Sequence, residues 1–113
     1  MTWLPLTSPE QLQAIKSAPG YSLIFKHSTR CIISKMALKS LEADWKEEQA
    51  PVTAYYLDLL NYRELSAQIA EMFHVYHESP QILLIRQGEC LLDASHSDIS
   101  FREITEVLAT QEN

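Results

Sequence analysis

The stretch Tyr21-Ser22-Leu23-Ile24-Phe25-Lys26-His27-Ser28-Thr29-Arg30-Cys31-Ile32-Ile33-Ser34 decides how this chain is read. Its first six residues are rich in aromatic and aliphatic side chains without helical spacing, which predicts a buried strand. From Ile33 the apolar residues change period. Ile33, Ala37, Leu41 and Trp45 fall in steps of four, with Met36 and Leu38 alongside, and the run stops before Pro51. This pattern predicts a long amphipathic helix that begins close to Cys31. A cysteine is therefore expected where a strand ends and a helix begins. Unpaired helix amides and the positive end of the helix dipole would face its sulfur there, favouring a thiolate over a thiol.

Upstream, Ser8-Pro9-Glu10-Gln11 combines an N-cap serine, a proline at the first helical position and Gln at the third. It predicts a short helix that buries Leu12 and Ile15 and runs to about Ser17, before Ala18-Pro19-Gly20 breaks it. Downstream, Val52-Thr53-Ala54-Tyr55-Tyr56-Leu57-Asp58 reads as a second strand. Asn61-Tyr62-Arg63-Glu64 reads as a capping box for a helix with Leu65, Ile69, Met72 and Phe73 inward. After the polar loop His77-Glu78-Ser79-Pro80, the segments 81–86 and 89–93 flank Gln87-Gly88 as a tight hairpin. Ser100-Phe101-Arg102-Glu103 then caps a last helix with Phe101, Ile104, Val107 and Leu108 inward. Strand–helix–strand units require parallel pairs joined by right-handed crossovers, whereas the hairpin requires an antiparallel pair. The expected fold is α/β: one thioredoxin-like domain over residues 1–113, with a four-stranded mixed sheet and helices on both faces.

Composition fits one globular domain: 113 residues, 46% hydrophobic and 21% charged, with neither linker nor repeat. Nine Lys and Arg stand against 15 Asp and Glu, a net charge of −6, which argues against nucleic acid or an anionic membrane as the main partner. Two cysteines do not make the dense disulfide framework of a small secreted domain. With no leader-like N-terminus and no apolar run of membrane-spanning length, a cytoplasmic location with reduced thiols is expected. Met36, Trp45, Met72 and Phe73 are assigned to the core, and Glu42, Asp44, Glu47 and Glu48 to a solvated helix face.

The chemistry concentrates at the strand-to-helix junction. Lys26, His27 and Arg30 form a local basic spot beside Cys31 on an acidic chain. A partly exposed thiolate in such surroundings is the nucleophile of thiol-disulfide exchange, attacking a substrate disulfide and leaving a mixed disulfide. Cys31 is the expected nucleophile; the competing reading is a buried structural cysteine. Ser34 stands where a C-x-x-C pair would place its second cysteine. It cannot close a disulfide, but its hydroxyl could donate to the Cys31 thiolate. Release of Cys31 then needs a thiol from another molecule, or Cys90, whose competing role is packing. Ser79-Pro80 lies where thioredoxin-like folds place a cis-proline, and the backbone before it could pair with a substrate strand. Lys26, His27, Thr29, Arg30, Ser79 and Pro80 are the candidate substrate-binding residues. No metal site is expected, because the His27/Cys31 and His74/His77 pairs fall short of the three or four convergent ligands that one needs. No signature of a Cys-His hydrolase is present.

The segment Phe25 to Ser34 with Met36-Ala37-Leu38, taken together with His77-Glu78-Ser79-Pro80-Gln81, resembles the monothiol bacilliredoxins, a thioredoxin-like family also described as YtxJ-like. The resemblance covers nearly the whole chain. It departs at Ile32, where the family usually has proline. It implies reduction of mixed disulfides between proteins and bacillithiol, a low-molecular-weight thiol. Cys31 would take up the bacillithiol moiety, and a further thiol or a protein reductase would regenerate it. The implied partners are thiolated proteins and bacillithiol or another small thiol as co-substrate, with no bound cofactor. Two other readings stand beside this one: a non-catalytic binding module that holds an extended peptide near Ser79-Pro80, and a redox sensor in which Cys31 is itself thiolated.

Overall fold

The structure is a computed structural model that describes residues 1–111. In chain order it comprises β1 (Trp3–Pro5), α1 (Pro9–Ser17), β2 (Tyr21–His27), α2 (Ile32–Asp44), β3 (Val52–Asp58), α3 (Arg63–Phe73), β4 (Gln81–Arg86), β5 (Glu89–Ser95) and α4 (Phe101–Gln111). Short 3-10 turns occupy Glu47–Gln49 and His96–Asp98. The strands form one sheet in the order β1-β3-β2-β4-β5, with β1, β3 and β2 parallel and β4 and β5 antiparallel to their neighbours. The sheet thus has five strands, not the expected four. The extra strand, β1, is three residues at the edge of β3, too short to show alternation, and Pro5 is tolerated because an edge strand need not donate on its open side.

All seven residues of β2 are buried, because it lies at the centre of the sheet with helices on both faces. Its side chains alternate. Tyr21, Leu23 and Phe25 join Ile82 and Leu84 under α2 and α4, against Leu41, Phe101, Ile104 and Leu108. Ile24 joins Leu83 and Ile85 under α1 and α3, against Leu12, Ile15, Leu65, Ile69 and Phe73. The same alternation puts His27 on the α2 side and Lys26 on the α3 side.

The Ser8 capping box forms as expected: the Gln11 amide donates to Ser8 Oγ at 3.3 Å, and the Ser8 amide donates to Gln11 Oε1 at 3.1 Å. Ser100 Oγ likewise accepts the Glu103 amide. The box expected at Asn61 does not form. Tyr62 is the N-cap of α3, and Asn61 instead donates to Asp58 Oδ2 at 2.7 Å. Gln87 and Gly88, with φ of 52° and 79°, make the hairpin turn that needs positive φ at both central positions.

Helix α2 is rotated from its expected facing. Ser34 and Leu41 are buried, Ala37, Leu38 and Trp45 pack at the core margin, and Ile33 and Met36 are exposed, at 53% and 64%. Steps of four residues drift around a helix of 3.6 residues per turn, so a stripe that meets the core at Leu41 has left it by Ile33. Met36 is therefore not a core residue. Among the described residues, no helix is long and apolar enough to cross a membrane.

Candidate active site

Cys31 is the N-cap of α2, with extended backbone (φ −103°, ψ 120°) and partial exposure. Its amide donates to the Ser28 carbonyl at 3.2 Å, closing the turn that carries Thr29 and Arg30, both exposed. The Cys31 side chain makes no capping hydrogen bond to the helix amides.

Ser34 is fully buried one turn into α2, and its hydroxyl works for the loop that carries Cys31. Ser34 Oγ accepts the Ser28 amide at 3.1 Å and lies 2.6 Å from His27 Nδ1. In the tautomer protonated at Nε2, His27 accepts the serine hydroxyl hydrogen, and both capacities of Ser34 are then used. Burial holds His27 below the ordinary imidazole value, with Lys35 adding to the effect and Asp58 and Glu42 opposing it, so the neutral ring is favoured. The hydroxyl expected to serve the Cys31 sulfur is thus directed at the end of β2, because that is what lies beneath the first turn of α2. His27 itself is 4% exposed, its ring beside those of Phe25 and Tyr56. It shapes the floor of the site and is not available at its surface.

Lys26 departs furthest from the expectation. It is completely buried on the α3 side of the sheet and cannot touch a substrate. Its Nζ donates to the Ser66 carbonyl at 3.2 Å and lies 3.3 Å from His77 Nδ1, and burial pushes its ammonium down to about 8. The basic spot on the surface beside Cys31 is therefore reduced to Arg30. Adjacent residues of a strand point to opposite faces, so Lys26 and His27 could not both have lined one site.

The second half of the site comes from the loop before β4. Lys26 pairs with Gln81 across the β2–β4 ladder, which sets Pro80 at the same sheet end as His27 and the start of α2. The Ser79-Pro80 bond is cis, and Pro80 is buried, with its carbonyl accepting the His96 amide at 3.0 Å. Among the described residues, the backbone N–H and carbonyl of Ser79 have no partner, and its hydroxyl is a buried polar atom without one.

Cys90 lies at the opposite end of the sheet. It pairs with Ile85, which pairs with Ser22, five residues of β2 before His27, or roughly 16 Å along the strand. A disulfide needs Cα atoms within about 7 Å, so Cys90 does not reach Cys31 and is not its resolving thiol. Burial, and next Asp93, push the Cys90 thiol up to about 11, and its Sγ–H donates to the Leu92 carbonyl. Among the described residues, no group of three or more His, Cys, Asp or Glu side chains converges as a metal site would require.

Residues 4–104 match the family described as monothiol bacilliredoxin BrxC. The chain belongs to the monothiol bacilliredoxin family. A solved structure described as having a thioredoxin fold, and assigned provisionally as an oxidoreductase, is 31% identical to this chain. It covers 97% of this chain and 93% of its own length, with a TM-score of 0.77. Thioredoxin from Trypanosoma brucei brucei shares the fold at 14% identity and TM-score 0.76, over 98% of this chain and 91% of its own. Thioredoxin from Malassezia sympodialis does so at 14% identity and TM-score 0.70, over 96% and 87%. Family and fold together make the protein a thiol oxidoreductase in the general sense. What sequence reasoning missed was the supporting role of Ser66, His77 and Gln81; the signal for Ser66 and Gln81 was polarity at positions that face the core, whereas His77 is exposed and carried none.

Proposed function

We propose that the protein is a monothiol oxidoreductase whose Cys31 removes bacillithiol from protein mixed disulfides. The observation that carries this reading is the isolation of Cys31: a partly exposed thiol at the start of α2, with the chain's other thiol at the far end of the sheet. The Cys31 thiolate attacks the bacillithiol sulfur of the mixed disulfide. A new S–S bond joins Cys31 to bacillithiol, the original S–S bond breaks, and the protein cysteine leaves as a thiolate that takes a proton from water. A second thiolate, from free bacillithiol or a protein reductase, then attacks the bacillithiol sulfur on Cys31. It leaves with that moiety as a disulfide and returns Cys31 to its reduced form.

The surroundings suit a protein substrate. Ile32, Ile33 and Met36 flank the thiol at 72%, 53% and 64% exposure, an apolar surface of the kind that meets another chain. The free backbone groups of Ser79 can pair with an extended segment on either side of the substrate cysteine. Ser34, in the position of a second cysteine, holds the turn and leaves resolution to an external thiol.

The test is transfer of the adduct. The Cys90→Ser protein is mixed with a bacillithiol-modified protein and followed by intact mass spectrometry. Uptake of one bacillithiol on Cys31, with release of the partner's thiol, supports the reaction. Tight complex formation without transfer would move the assignment to a peptide-binding module. Thiolation of Cys31 that no added thiol reverses would move it to a redox sensor.

A further inference from the structure

Two buried polar side chains of the central strands, Lys26 and Gln81, face the α3 side next to each other and are 0% and 1% exposed. Neither touches the nucleophile. Both are directed at the turn just before Ser79. Gln81 Nε2 donates to the Tyr76 carbonyl at 2.8 Å, and Gln81 Oε1 accepts the Glu78 amide at 3.4 Å. Between those two grips, His77 Nδ1 lies 3.3 Å from Lys26 Nζ and 3.1 Å from Ser66 Oγ, while Lys26 also binds the Ser66 carbonyl in α3. Lys26 is a donor only, so His77 must present an unprotonated Nδ1 to it. Burial, followed by the charges of Lys26 and Arg63, holds His77 below the ordinary imidazole value against the pull of Glu78, which agrees with that tautomer.

A buried ammonium is costly unless hydrogen-bonded, and here its hydrogen bonds go to the His77 ring in that turn and to the Ser66 carbonyl in the helix beside it. We propose that Lys26 is a positioning residue: through His77 it holds the Tyr76–Glu78 turn against α3, so that the free backbone groups of Ser79 stand ready for the peptide strand of a protein mixed disulfide. Its action is on the peptide side of the substrate and not on the sulfur chemistry, since it lies across the sheet from α2. This rests on the exchange reaction proposed above and specifies how its macromolecular substrate is held.

The experiment compares two disulfides in single turnover with the Cys90→Ser background. One is an unstructured peptide whose single cysteine is joined to cysteamine; the other is cystamine, which offers no peptide strand. His77→Ala removes an exposed imidazole and leaves the core untouched, while Lys26→Met keeps the apolar stem and removes the ammonium. Each is expected to slow the peptide reaction about tenfold, the equivalent of about 1.4 kcal/mol, through weaker half-saturation and not a slower limiting rate. Cystamine should react as with the parent, and the double variant should be no worse than the poorer single one, because both substitutions break one contact. Unchanged peptide rates, equal slowing of both disulfides, or additive losses in the double variant would each overturn the proposal. A parent protein inert to both disulfides would instead overturn the exchange reaction, and this inference with it.

Discussion

Replacing Lys26 by Met should make the stability difference from the parent protein depend on pH in one direction only. Lys26 is completely buried, and its ammonium is pushed by burial from 10.5 down to about 8. At pH 7 both folded and unfolded chains hold the proton, so the difference between parent and variant is constant there. Between pH 8 and 10.5 the unfolded chain keeps a proton that the folded chain has released, and the parent is stabilised as pH rises. These two values give the parent a gain over Lys26→Met of about 1.4 kcal/mol by pH 9 and about 2.5 kcal/mol by pH 10, relative to pH 7. Cys90 acts with the opposite sign. Its thiol, pushed up to about 11, stays protonated in the fold while the unfolded chain ionises, so stability falls above about pH 9 in both proteins. That contribution cancels in the difference, which is why the parent–variant pair and not the parent alone must be measured. Urea denaturation of both proteins at pH 7, 8, 9 and 10, with equal m-values, reads the quantity directly. A difference that stays flat across this range, or that moves against the parent, would refute the assignment of Lys26 as a buried ammonium released by alkali.

Three further outcomes follow from the site. Ser34→Ala should cost about 1–3 kcal/mol in denaturant unfolding, because it leaves His27 Nδ1 and the Ser28 amide without their buried partner, whereas a solvated turn serine would cost almost nothing. Ile32→Pro should raise stability by about 0.4–1 kcal/mol in a thermal scan, since Ile32 is the first residue of α2 and Cys31 already has the extended backbone that a residue before proline adopts. Iodoacetamide at pH 7.5 should modify Cys31 and spare Cys90, whose thiol ionises only near 11, and peptide mapping of a Cys90→Ser control should show the same labelling rate at Cys31.

Local patterns along the chain were enough to place Cys31 at a helix start and to lay out most of the frame. A change from strand-like to helix-like spacing across residues 25–37 is visible without any tertiary knowledge, and it sets Cys31 at a helix start because hydrophobic period is a property of neighbours in sequence. The Ser8 box, the Ser100 cap and the Gln87-Gly88 turn are likewise short-range devices. Only tertiary structure decided the rest. A three-residue edge strand has no period of its own and exists because β3 offers it partners. Which side of β2 meets which helix sends Lys26 to α3 and His27 to α2, and so separates two residues that the sequence sets side by side. The rotation of α2 puts Ser34 over His27 and turns Ile33 outward. Cys90 is excluded by strand register, a long-range quantity that local pattern does not encode. Chain order therefore determined which chemistry the protein carries, and packing across the sheet decided which residues stand behind it, because burial and hydrogen bonding depend on neighbours that are distant in sequence.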